Sequence, residues 1–205
     1  MKKMLSLTSF LLTMIACNND SVTSEQVNHQ ASTVNNGFEN YKSAFIEELW
    51  KVYPNWASDV GYHLYDSILV VPDKENGEKQ LKFINANLDS LKTYTLNDLS
   101  DNNKTDYYMI ENQLEFLKWR MEDEKQYEWN PSIYNAPSSF ATLLSNNYDS
   151  LDNRLRNFQL KMRYIPAYYE AAKENIKNPT PEHTQLAIEQ NLGGISIFES
   201  ELKDA

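Results

Sequence analysis

The chain has 205 residues, with 19 Lys and Arg against 29 Asp and Glu, for a formal charge of −10. A surface this acidic repels a phosphate backbone, so nucleic acid is not an expected partner; the one loose basic group is Arg154, Arg156, Lys161 and Arg163. Five glycines leave no room for a phosphate-cradling loop or a dinucleotide fingerprint, and one cysteine allows no internal disulfide.

Residues 1–16 read as a signal peptide. Lys2 and Lys3 precede the apolar run Met4 to Ala16, which is too short to span a bilayer as a permanent helix. The run ends at Cys17, and Met14-Ile15-Ala16-Cys17 resembles a bacterial lipobox, in which the cysteine sulfur receives a diacylglycerol. Lipidation of Cys17 predicts an exported protein anchored to the bacterial cell envelope, at the outer membrane or on a periplasmic face, because two or more acyl chains hold where one does not. Residues 17–36 follow as the lipidated cysteine and a polar stretch that cannot bury a core, read as a flexible tether.

From residue 37 to 205 the pattern is helical. Phe38, Tyr41, Phe45, Leu49 and Val52 make one apolar stripe, ended by Pro54. Tyr53 to Asp66, YPNWASDVGYHLYD, reads as a helix junction: Pro54 restarts the chain, Gly61 permits a close approach or a left-handed turn, and Asp66 caps the turn. Ser67 to Val71 is a weak strand signal stopped by Pro72. Leu81, Ile84, Leu88 and Leu91 form a second stripe, and Tyr107, Ile110, Leu114, Leu117 and Met121 a third. Ser138 and Ser139 read as the cap of a helix carrying Phe140, Leu143 and Leu144. The stripe from Leu151 to Ile176 predicts one helix of roughly 39 Å, kinked at Pro166. Thr180 and Pro181 start the last helix, with Ile188, Leu192, Ile195, Phe198 and Leu202 on its stripe. The expected fold is all-α, built of packed long helical hairpins, and the chain stops without a glycine cap or proline, as a truncated domain would.

Chemistry is sparse. His29, His63 and His183 are far apart, and Glu182-His183 has no second histidine four residues on, so no metal site is expected. No G-x-S-x-G elbow is present. The acids Glu122, Asp123, Glu124 and Glu128 read as a solvated helix end. Thirteen tyrosines stand out. Those on stripes, such as Tyr41, Tyr107 and Tyr169, read as core, and those at junctions are placed to line a cleft for a peptide or sugar. His63, Tyr65 and Tyr134 are the candidate substrate contacts, with His63 read first as a satisfied junction histidine. No catalytic or metal-ligating residue is assigned.

A family resemblance runs through these motifs. Pro54, Ala57, Gly61, His63, Tyr65 and Asp66 resemble the opening motif of the bacterial domain-of-unknown-function 885 family. Leu99, Asp106, Tyr107, Ile110 and Leu114 resemble its long helix, and Trp129-Asn130-Pro131 with Tyr134 its following turn. Arg163, Ile165, Pro166, Tyr169, Ala172 and Asn175 resemble its proline-bearing helix, with Gln190 and Gly193-Gly194 next. The resemblance implies an exported helical hydrolase similar to zinc metallopeptidases of the carboxypeptidase and oligopeptidase kind. In those proteins the H-E-x-x-H-type helix lies far downstream, and nothing here matches it. The resemblance therefore implies an N-terminal scaffold and one wall of a peptide-substrate channel, inactive by itself. Zinc is expected only with the missing C-terminal half. The competing expectation is a free-standing helical lipoprotein that binds a ligand or partner without catalysis.

Overall fold

The computed structural model describes residues 24–204, and every regular element among them is helical. The signal peptide, the lipobox and Cys17 lie outside the described residues. The first helix, α1, spans Ser24–Val52, about 43 Å at 1.5 Å per residue. It begins thirteen residues before Gly37, so the stretch read as a tether as far as residue 36 is helical from Ser24. Tertiary contacts hold the end of this stretch. Val34 packs on the core, and the Asn35 side chain donates to the Asp98 carbonyl at 3.1 Å and accepts from Ser100 N and Asn103 Nδ2, both at 2.8 Å.

Three long helices make the first core: α1, then α3 (Lys74–Leu91) and α4 (Asp101–Trp119), with the short α2 (Pro54–Asp59) at the turn out of α1. Asp73 caps α3 by accepting from Asn76 N at 2.8 Å, and Ser100 caps α4 by accepting from Asn103 N at 3.3 Å. Phe38, Phe45, Leu49, Phe83, Ile84 and Leu114 interlock among the three stripes. Phe38 and Leu114 are fully buried.

The second half is a different construction. After α4 come α5 (Gln126–Trp129), α6 (Ser138–Ser145), α7 (Leu151–Met162), α8 (Ile165–Asn175) and α9 (Pro181–Ser196), continued by a wide turn at Ile197–Glu201 and a last turn at Leu202–Asp204. The stripe from Leu151 to Ile176 is two helices and not one kinked helix. Arg163 and Tyr164 turn between them, and Pro166 sits in the first turn of α8, where its missing N–H costs nothing. The helix at Phe140 begins without a side-chain cap; Ser138 donates to the Asn135 carbonyl instead. Residues 67–72 pair with no strand. They carry Leu69 into the second core, among Ala136, Phe140, Leu143, Phe158 and Ile197, and Asn175 Nδ2 holds the Pro72 carbonyl at 2.6 Å.

Buried cations bind this half together. Arg154, 5% exposed, donates to the carbonyls of Leu143 at 2.8 Å, Leu144 at 2.9 Å and Asp149 at 3.2 Å. It thereby satisfies acceptors that the end of α6 leaves open. Lys161 is buried as well, so the loose basic group of the sequence is not a surface patch.

Candidate functional site

The YPNWASDVGYHLYD stretch folds as a junction braced on one carboxylate. Tyr53 leaves the helical region at φ −125° and ψ 64° and ends α1, and Pro54 opens α2. Gly61 takes φ +89°, and a Cβ there would meet nothing within 4 Å, so the turn requires glycine for its left-handed backbone and not for space. His63–Tyr65 form a single tight turn that delivers Asp66 to the interior, where it is 1% exposed.

Asp66 is more than a cap. Its carboxylate accepts from the Ser58 hydroxyl, from the Tyr148 hydroxyl and from His63 Nδ1 at 3.0 Å. A carboxylate accepts only, which assigns the proton to Nδ1 of His63. The His63 ring lies flat on Tyr148, centroids 3.4 Å apart and planes 8° from parallel. Burial, then the hydrogen bond to Asp66, raises the pKa of the Tyr148 hydroxyl far above its usual value, so Tyr148 stays a donor. A nucleophilic triad places histidine between serine and carboxylate. Here Ser58 and His63 both donate to Asp66, so the trio is a brace between α2 and the segment ahead of α7 and does not activate the serine.

Lys161, on α7, is 1% exposed, donates from Nζ to the Ser139 carbonyl at 2.9 Å and lies 5.7 Å from the Phe140 ring centroid. Burial lowers its pKa to about 8, against the opposing pull of Asp66 and Asp59.

The second feature is an apolar groove of about 440 Å³ along α9, lined by Pro137, Tyr169, Ile188, Leu192, Ile195 and Phe198. Ile188, Leu192 and Ile195 are 50%, 64% and 43% exposed, although they belong to one stripe with the packed Phe198 and Leu202. Asn191 anchors the groove floor. It accepts from the Tyr169 hydroxyl and donates to the Tyr134 carbonyl at 3.3 Å. Gly194 lets α9 press on Pro137: a Cβ at 194 would overlap that ring, coming within 2.7 Å of its Cγ.

The structure separates the three candidate substrate contacts. His63 and Tyr65 share the junction turn and are partly exposed. Tyr134 is 5% exposed; its hydroxyl donates to the Tyr127 carbonyl at 2.7 Å, and its ring meets Tyr168 edge-on at 6.3 Å. The sequence marks Tyr148 only as a junction tyrosine and Lys161 only as one of a loose basic group, and no local pattern gives their roles; Tyr148 is 82 residues from the carboxylate it binds. His183 pairs through Nδ1 with Thr180 Oγ1 at 2.6 Å and packs edge-on to Trp129. Among the described residues no group of three or more His, Cys, Asp or Glu side chains gathers as a metal site, and no helix is long and apolar enough to cross a membrane.

Residues 54–205 match the family described as "Bacterial protein of unknown function (DUF885)". The chain belongs to this family. The motifs around Pro54–Asp66, Asp106–Tyr107 and Ile165–Pro166 all lie within the matched residues, and the Asp66 brace takes Ser58, His63 and Asp66 from the first stretch and Tyr148 from farther along the chain. A solved structure of a "putative lipoprotein of unknown function" from Shewanella oneidensis is similar at 41% identity with a TM-score of 0.78, over 80% of this chain and 30% of that one. The chain therefore spans about 30% of the length of that relative. No curated protein sequence matches it.

Proposed function

We propose that the chain is the N-terminal scaffold, and one wall of the substrate channel, of a larger zinc-metallopeptidase-like lipoprotein. The observation that carries the scaffold reading is the α9 face. Three large apolar side chains in a row, Ile188, Leu192 and Ile195, stand exposed beside a 440 Å³ apolar groove. Contiguous apolar surface of this kind is the mark of an interface. The Shewanella relative, at more than three times the matched length, has chain available to cover it. The metal and the catalytic glutamate belong to that further chain, and a peptide is the substrate class. The partly exposed His63 and Tyr65 are the candidate contacts on this wall, and Tyr134 supports the α9 floor from below.

The test is accessibility. Leu192→Cys in this chain should react with a maleimide at the rate of an exposed thiol. The equivalent cysteine in the longer relative should react at least about tenfold more slowly. Equal rates in both would overturn the scaffold reading. They would favour the second one, a lipoprotein whose groove takes a ligand without catalysis, which the groove's volume also suits. Zinc-dependent, chelator-sensitive peptide hydrolysis by the longer relative tests the enzyme assignment. Absence of such activity in the zinc-loaded relative would remove it.

Anchoring through a lipidated Cys17 is supported by the lipobox-like Met14–Cys17 and by the description of the Shewanella relative. Globomycin should block processing of the precursor; unchanged processing in the drug would refute lipidation.

A further inference from the structure

At the far end of the first helical bundle, α4 does not simply stop. Its last turn widens so that Lys125 N reaches the Arg120 carbonyl, five residues back, at 3.0 Å. Lys125 then takes φ 47°, the one positive φ outside glycine among the described residues. Wide turns and left-handed non-glycine residues are both uncommon, and both concentrate at functional sites. Here they surround a cavity of about 170 Å³ between α3, α4 and α5, lined by Tyr53, Gln80, Leu117, Arg120, Gln126 and their neighbours.

The cavity's polar groups are incompletely used. The Tyr53 hydroxyl is buried and has no hydrogen-bond partner, and a buried donor left unmet destabilises the fold. Burial raises its pKa to about 12 while the nearby Arg120 charge acts the other way, so it remains a protonated donor facing a cation. Arg120 is held in place by Glu124, Nε to Oε2 at 3.2 Å, and by Gln126 on Nη2. Its Nη1 donates to no acceptor among the described residues, and the side chain is 40% exposed. A fixed guanidinium with an open edge beside a hydroxyl donor matches a carboxylate. The remaining wall, Leu117 with Met121 and Ile133, is apolar, which a water-filled cavity does not require.

We propose that this cavity binds the α-carboxylate of a small molecule bearing an apolar side chain, either a free amino acid or the C-terminal residue of a short peptide. Arg120 and Tyr53 hold the carboxylate, Gln80 and Gln126 flank it, and Leu117, Met121 and Ile133 take the side chain. The proposal is independent of the scaffold reading, because every group belongs to this chain and none lies on α9.

Calorimetric titration of the full chain with N-acetyl-leucine, leucine and glycyl-leucine tests it, with leucinamide as the probe that lacks the carboxylate. A carboxylate-bearing probe should saturate in the millimolar range or below, and leucinamide should bind at least tenfold more weakly, as loss of a charge-assisted pair implies. Tyr53→Phe should weaken binding about fivefold without lowering the melting temperature, and Arg120→Gln should weaken it at least tenfold. Leucine binding tighter than glycyl-leucine assigns the site to a free amino acid, and the reverse assigns it to a peptide end; either supports the proposal. Saturation by leucinamide equal to that by N-acetyl-leucine would overturn it. So would no binding at 10 mM of any probe, or Tyr53→Phe binding unchanged in a folded protein.

Discussion

The two halves of the molecule use the same secondary structure and close their cores differently. In the first, α1, α3 and α4 each turn a continuous apolar stripe inward, and Phe38, Ile84 and Leu114 are fully buried with no charge among them. In the second, short helices meet around Phe140 and Phe158, with buried Arg154 and Lys161 bonded to carbonyls of α6, and the α9 stripe is left half open. The difference teaches that an apolar periodicity identifies a helix face, and that covering the face requires a second surface. Long stripes supply that surface to one another, whereas α9 has none within the described residues for Ile188, Leu192 and Ile195.

The contrast can be broken most forcefully in the first half. Leu114→Ala should cost about 2–5 kcal/mol in chemical denaturation, the range for deleting a fully buried leucine side chain. A cost under 1 kcal/mol would mean that the three-helix core is looser than its packing indicates.

The joint between the halves comes next. Asp66→Ala strands three donors, Ser58, His63 and Tyr148, and should cost about 3 kcal/mol. His63→Ala removes one donor and the stack on Tyr148, for about 1–2 kcal/mol. In a catalytically active longer relative, the His63→Ala counterpart should lower stability more than the turnover of the folded fraction. Lost turnover at an unchanged melting temperature would make His63 a substrate contact instead.

Lys161 sharpens the comparison through pH. Its pKa is about 8 in the folded chain and 10.5 when exposed. Between those values the unfolded chain binds the extra proton at this lysine, so its contribution to stability should rise from about pH 8 to pH 10.5, by on the order of 2–3 kcal/mol. Below pH 8 the buried charge is a constant cost. Lys161→Met should therefore flatten the profile in that window and match or exceed the parent's stability at pH 7. Parallel profiles for the parent and Lys161→Met across the window would show that Lys161 is not desolvated.

The smallest effect belongs to α9. Leu192→Ala should change stability by no more than about 0.5 kcal/mol in this chain, because the side chain is mostly in water already. A loss comparable to that of Leu114→Ala would mean that α9 is covered in solution.

Much was legible in the residue order. The α1, α3 and α4 stripes, the proline restart at Pro54, the Thr180-Pro181 start of α9 and the family motifs all depend on neighbours within a few positions. Other readings failed where distant contacts decide. Residues 24–36 look like a tether by composition, yet they are helical, and Val34 and Asn35 at the end of the stretch dock on α4 and the segment before it. Pro166 looks like a kink, yet it begins a helix because the chain has already turned at Arg163 and Tyr164.

The candidate sites divide in the same way. Sequence alone determined the helical class, the family, and the junction at Tyr53–Asp66, because periodicity, proline and glycine act through the local backbone. Only the tertiary structure decided that Asp66 serves three donors, that Lys161 is desolvated, that Tyr53 lies unpaired beside Arg120, and that half of the α9 stripe faces water. Hydrogen-bond satisfaction and burial are properties of what the fold brings together, and residues 82 positions apart carry no mark of their meeting.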